Sequence, residues 1–144
     1  MSAVPSSCLC STLRQTMRAV TRLYDDALRP VNLRITQYTV LTYLMALGES
    51  RVRDLGDAIV LEETTLTRNL RLLEQGGWVR SRPGEDRRER LVSITPTGLR
   101  LVEKARPLWQ EAQDRMQERL SKSTWDATFR TLPRIVDAAR GEPS

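Results

Sequence analysis

Apolar residues recur with helical spacing at both ends of this chain and with strand spacing over one short stretch between them. Over residues 8–29, Leu9, Leu13, Met17, Val20, Tyr24 and Leu28 form a continuous apolar stripe. Arg14, Arg18 and Arg22 form a polar stripe at i, i+4, i+8 on the same helix. Ser6 or Ser7 is the expected N-cap, and Pro30 the stop. Thr36 is expected to cap a second helix, closed by Gly48, in which Tyr38, Leu41, Leu44 and Met45 face inward. A short third helix over residues 52–59 turns Val52, Leu55 and Ile59 inward and Asp54 and Asp57 outward.

The next stretch, residues 61–98, carries the most information. Leu66, Leu70 and Leu73 fall at i, i+4, i+7 on one face of a helix, which leaves Thr64, Thr67, Arg68 and Arg71 largely on the other. Short polar and guanidinium side chains on one helical face suit the base edges and phosphates of a DNA major groove. Gly76-Gly77 ends the helix, because glycine enters the left-handed region at little steric cost. Residues 78–82 and 90–94 then alternate as two strands around the turn Pro83-Gly84-Glu85-Asp86. Two short helices, a reading helix and a basic hairpin make a winged helix-turn-helix. Thr95 is placed to cap a further helix with Pro96 at its first position, where a missing amide proton costs nothing. That helix is expected to reach about Leu120, bent at Pro107, with Leu99, Val102, Trp109, Ala112, Met116 and Leu120 as its apolar face. A last helix over residues 124–140, capped by Ser123 or Thr124, presents Trp125, Phe129, Leu132, Val136 and Ala139.

These elements predict a mainly α fold with a small β-hairpin, an α+β winged helix-turn-helix flanked by terminal helices. A single domain is expected over residues 1–144, with residues 35–94 as the DNA-binding region and residues 8–34 and 95–140 as dimerisation helices. The terminal stripes are too apolar to be left bare beside an already compact core, and a second copy is the simple way to bury them.

Charge supports a polyanionic partner, namely double-stranded DNA. The net charge is +5, and five of the eleven residues from Arg80 to Arg90 are arginines. No apolar run approaches the ~20 residues of a membrane span, and MSAVPSSCLC lacks the charged and apolar regions of a signal peptide. A cytoplasmic protein with reduced cysteines is therefore expected. The chain contains no His, no Gly-x-Ser-x-Gly elbow and no phosphate-cradling glycine loop, which argues against an enzyme and against a bound cofactor. A winged-helix module that binds only protein is the rival reading, and the basic wing is the feature that separates the two.

Together these residues resemble the MarR family of bacterial transcriptional regulators over residues 8–140. The most specific elements are Asp86-Arg87-Arg88 in the wing, the helix start Ile94-Thr95-Pro96-Thr97-Gly98, and the reading helix TTLTRNLRLLEQGGWV. The resemblance implies a two-fold homodimer, joined through its terminal helices, that binds pseudo-palindromic promoter DNA, often its own, and usually represses. It puts Thr64, Thr65, Thr67 and Arg68 near major-groove bases and backbone, with Arg71 on the same face. Arg88 enters the minor groove, and Asp86 orients the wing through an ion pair. A narrow minor groove concentrates negative potential and favours an inserted Arg. Arg82, Arg87 and Arg90 are expected at phosphates.

Regulators of this family release DNA in response to small aromatic ligands or to thiol oxidation. Cys10 lies in the first helical turn, where unpaired amides favour negative charge on sulfur, with Arg14 one turn on. Its fourteen-residue spacing from Tyr24 resembles the sensing cysteine and one partner tyrosine of the organic-hydroperoxide regulators. Those proteins typically carry another tyrosine four residues after the cysteine, where this chain has Arg14. Cys8 and Cys10 point roughly 200° apart on a helix, so a bond between subunits is easier than one within the helix. Three readings of the pair stand open: packing residues at a dimer seam, redox sensors, or two ligands of a shared metal site, the last weakened by the absence of histidine. A ligand-responsive alternative places a small aromatic molecule in a cleft lined by Tyr38 and Trp109.

Overall fold

A computed structural model describes residues 8–142. The elements run α1 (Leu9–Leu28), a 3-10 turn (Arg29–Val31), α2 (Ile35–Leu47), β1 (Ser50–Arg51), α3 (Val52–Ile59), α4 (Glu63–Gln75), β2 (Val79–Pro83), β3 (Arg90–Ile94) and α5 (Pro96–Arg140). The fold is the expected mainly helical winged helix-turn-helix with a small antiparallel sheet.

The apolar stripe of α1 changes character along its length. Tyr24 and Leu28 are buried, Leu13 and Val20 are half-buried, and Leu9 and Met17 are bare. The expected caps Ser6 and Ser7 lie outside the described residues. Cys8 takes the N-cap position with extended backbone and no side-chain bond. At the other end, Pro30 does not stop the chain abruptly but enters the 3-10 turn, which closes with Asn32 in the left-handed region.

The α2 helix begins two residues earlier than expected. Arg34, not Thr36, is the N-cap, and its amide donates to the Gln37 side chain (2.9 Å). The Ile35 amide donates to the Asp25 carboxylate of α1 (2.7 Å), so a neighbouring helix satisfies a first-turn donor of α2. Tyr38, Leu41 and Leu44 are buried as expected, whereas Met45 is exposed, and Val40 takes the inward position instead.

Leu28, Val40, Leu41, Leu44, Leu55, Leu66, Leu73, Val92 and Val102 are fully buried and join α1, α2, α3, α4, β3 and the start of α5 into one core. The sheet has the order β1-β3-β2, with Ser50 opposite Val92 and Val79 opposite Ile94. Its two-residue edge strand, β1, was not anticipated.

The start of α5 follows the expected capping pattern. The Gly98 amide donates to the Thr95 hydroxyl (3.1 Å), which itself donates to the Gly77 carbonyl (2.7 Å). The Trp78 carbonyl lies where a β-carbon on Gly98 would sit, so only glycine allows this close approach of helix and strand. The non-helical dihedrals inside α5 fall at Ser121 (φ 64°, ψ 155°), not at Pro107. The Ser121 hydroxyl accepts from the Thr124 amide (3.4 Å), so Ser121 caps the last stretch in place of Ser123 or Thr124. By internal packing the chain divides between Trp109 and Gln110. In the second unit Trp125 and Phe129 lie ring to ring at 5.1 Å.

Candidate nucleic-acid interface

The α4 helix buries Leu66, Asn69, Leu70 and Leu73 and leaves Thr64, Thr67, Arg68 and Arg71 exposed, with Thr65 half-buried at the border. Its exit is tightly specified. The Trp78 amide bonds the Leu73 carbonyl (3.0 Å) and the Gly77 amide bonds the Glu74 carbonyl (3.0 Å), with Gly77 at φ 75°. This is a Schellman closure in which the second glycine, not the first, takes the left-handed conformation. It delivers the chain directly into β2, so the wing is built onto the end of the reading helix. The turn before α4 is less relaxed: Val60, a β-branched residue, sits at φ 61°.

The wing arginines fall into two groups. At the base, Arg82 holds Glu49 through two bonds, Nε to Oε2 (3.0 Å) and Nη2 to Oε1 (2.5 Å). The hydrogen bond from Arg82 keeps the Glu49 carboxyl below its ordinary range, although both side chains face water. Arg90 donates to the Ser81 hydroxyl (2.6 Å) and pairs with Glu74 on α4 (3.2 Å), while Ser81 donates to the other Glu74 oxygen (2.7 Å). Arg51 meets Glu89 at 3.4 Å.

At the tip, the Gly84 amide bonds the Glu89 carbonyl and the Glu89 amide bonds the Asp86 carbonyl, both at 2.9 Å. Asp86 orients this turn by accepting the Arg88 backbone amide (3.1 Å), not through the expected ion pair. Among the described residues, no hydrogen bond or ion pair holds the side chains of Arg87 or Arg88, nor those of Arg68 or Arg71. Thr67 and Arg88 line one cleft of about 930 Å³ between α3, the first turns of α4 and the wing. Arg51, Arg53, Asp86 and Arg90 share that lining, whereas Thr64, Thr65, Arg68, Arg71, Arg82 and Arg87 lie outside it. Sequence reasoning missed Glu49, Glu74, Ser81 and Arg51, because their role depends on pairing across strands and helices that no local spacing announces.

Cys8 and Cys10 are exposed and not joined to each other. Fourteen helical residues separate Cys10 from Tyr24, about 21 Å along the axis, so the two cannot touch within one subunit. Tyr24 is buried, and burial pushes its phenol up. Tyr38 and Trp109 stack on each other (6.0 Å, 28°) against the core, and neither lines the cleft between α3, α4 and the wing. The cleft beside α1 is elsewhere, about 1010 Å³, with Arg14, Arg18 and Arg22 on one wall and Leu33, Leu72 and Trp78 among the others.

A model of the MarR family matches residues 33–89, which span the helix-turn-helix and the wing. The organic hydroperoxide resistance transcriptional regulator of Bacillus subtilis is 36% identical over 98 residues, 67% of this chain and 67% of that protein. The M. tuberculosis transcriptional regulator MosR, solved in complex with DNA, superposes with a TM-score of 0.84 at 33% identity, over 94% of this chain and 98% of MosR. The chain belongs to the MarR family. It is a DNA-binding transcriptional regulator and not an enzyme. The Streptomyces coelicolor regulator PcaV, solved with its natural ligand, shares the fold with a TM-score of 0.84 at 22% identity, over 96% of this chain and 99% of PcaV. Among curated relatives the chain spans about two thirds of their length, 64% of the B. subtilis regulator YwoH being a second case. No helix of this MarR-family regulator, among the described residues, is long and apolar enough to cross a membrane.

Proposed function

We propose that this regulator is an autoregulating repressor that binds a pseudo-palindromic operator as a homodimer. The observation that carries the reading is a set of four arginine side chains at this surface with no protein partner among the described residues. Arg68 and Arg71 lie on the open face of α4, and Arg87 and Arg88 stand at the tip of the wing. Unpaired guanidinium groups on a groove-sized helix and an adjoining hairpin are matched by phosphates and base edges. Thr64, Thr65 and Thr67 meet the major groove beside them, and Arg88 enters the minor groove, where narrowness deepens the negative potential. Arg82, Asp86 and Arg90 belong to the same surface and hold its shape. The two-fold arrangement places half-sites about one helical turn apart, and the winged region of residues 35–94 acts between dimerisation helices at 8–34 and 95–140. The bare apolar residues Leu9, Met17, Phe129, Leu132 and Val136 support that pairing.

Release has two candidate inputs. An organic hydroperoxide would oxidise an exposed Cys10 thiol to sulfenic acid, leaving the alcohol. A second thiol, Cys8 or Cys10 of another copy, would then form a disulfide and release water. The B. subtilis organic hydroperoxide regulator favours this route by analogy. A small aromatic ligand in the arginine-walled cleft beside α1 is the other input, and PcaV, which shares the fold, is solved with its natural ligand.

The test is a titration of DNA from upstream of the protein's own gene, with reduced protein and after cumene hydroperoxide. Tight binding by the reduced protein, lost on oxidation, restored by dithiothreitol and insensitive to oxidant in Cys10→Ser, is the result expected of the redox route. Binding unchanged by oxidant eliminates that route and leaves the cleft. Arg88→Ala is expected to reduce operator affinity at least tenfold, and undiminished binding would refute the wing assignment.

A further inference from the structure

The bonds at the base of the wing have a consequence for how it reads DNA. Glu74 stands in the last turn of α4, Ser81 on β2 and Arg90 on β3, and the three close a ring of contacts at 2.7, 2.6 and 3.2 Å. Each contact joins a different pair of elements, so the ring fixes the wing to the reading helix at a point beyond the Schellman closure. A two-stranded hairpin attached only by its chain would pivot about that closure. Burial of Val79 and Val92 and the pairing of β3 with β1 hold the base of the hairpin, and the ring adds a tie farther along it, because Arg90 cannot swing without breaking bonds to both the helix and the neighbouring strand. From the other face of the hairpin, Arg82 bonds Glu49 and ties β2 to the segment before β1.

We propose that Glu74, Ser81 and Arg90 are positioning residues that set the angle between the wing and the reading helix, and so place Arg87 and Arg88 at the groove. Arg90 thereby serves DNA recognition through Glu74 and Ser81, in place of a phosphate contact of its own. This inference rests on the wing reading given above.

Electrostatics makes the proposal easy to separate from its rival. Glu74 is an acid on a protein that binds a polyanion, and removing a negative charge from such a surface ordinarily strengthens binding. Positioning requires the reverse sign. The probe is a duplex selected by the wild-type protein from a randomised library, titrated over a range of salt. Glu74→Gln and Ser81→Ala are expected to weaken binding about three- to fivefold, the range of an exposed paired contact, and Ser81→Thr, which keeps the hydroxyl, is expected to restore it. Arg90→Ala is expected to weaken binding while leaving the salt slope unchanged. Loss of a phosphate contact would instead flatten the slope by about 0.9.

A second measurement does not depend on DNA. Residual dipolar couplings of the Arg87, Arg88 and Glu89 amides in free Glu74→Gln are expected to depart from wild type while those of α4 do not. Unchanged wing couplings, or tighter DNA binding by Glu74→Gln, would overturn the relay. If the couplings shift but Arg88→Ala binds DNA as wild type does, the wing reading fails and the relay's link to DNA fails with it.

Discussion

Leu66, Leu70 and Leu73 on α4 and Phe129, Leu132 and Val136 on α5 are helical apolar stripes of similar spacing, yet they meet opposite fates. The first three are at most 7% exposed. The second three are 44–58% exposed. Spacing decides which side of a helix is apolar, and it does so equally in both regions. What covers that side is decided elsewhere. For α4 the cover comes from α2, α3 and the sheet, all of the same chain. For the stretch 122–140, the Trp125–Phe129 ring contact aside, the stripe stays largely bare, and the cost of leaving it in water is the argument for the second copy proposed above. The bare half of α1, with Met17 at 71% exposed, repeats the lesson within a single helix.

The comparison is broken most forcefully by truncating one leucine in each region. Leu73→Ala removes a fully buried side chain whose surroundings relax only in part, at a cost of about 2–5 kcal/mol. Urea denaturation is expected to show that loss at any protein concentration. Leu132→Asp is expected to leave the chain folded when dilute and to abolish self-association, the variant forfeiting at most about 1.5 kcal/mol of burial per subunit at that half-covered position. Sedimentation equilibrium and the concentration dependence of the melting temperature read this directly. A wild-type melting temperature independent of concentration, with a monomer throughout, would sink the dimer reading.

Local signals carried much of this fold. The reading helix, its glycine exit, the hairpin and the Thr95-Pro96 helix start are each specified within a few residues, so pattern and capping chemistry reveal them. The errors share a cause. Thr36 is a plausible cap by sequence, but the Asp25 carboxylate on α1 takes the Ile35 amide and the helix begins at Ile35. Met45 lies near the edge of an apolar face, and only the packing of α2 shows that Val40 is inside and Met45 is not. The β1 strand is two residues long, too short to show any period, and exists because β3 has a free edge beside it. At the interface the same limit applies. Arginines are visible as letters, but whether one is free for DNA or held by Glu49 or Glu74 depends on strand register and on where α4 ends.

The smallest effect expected concerns a polar contact, which unlike the stripes has water on every side. The Arg82 hydrogen bond lowers the Glu49 carboxyl's pKa. A depressed folded-state value means that the unfolded chain takes up the proton first as pH falls. The contribution to stability is therefore fully present above the unfolded carboxylate value of about 4.3 and is lost as pH drops through the folded value. Both groups are exposed, so solvent screens the pair and its share of stability is minor. A carbon-detected NMR titration of Glu49 is expected to show its midpoint rise towards the ordinary value in Arg82→Ala, with the melting temperature at neutral pH little changed. An unmoved midpoint would mean that Arg82 is not held at the wing base in solution. It would then join Arg87 and Arg88 among the arginines available to phosphate.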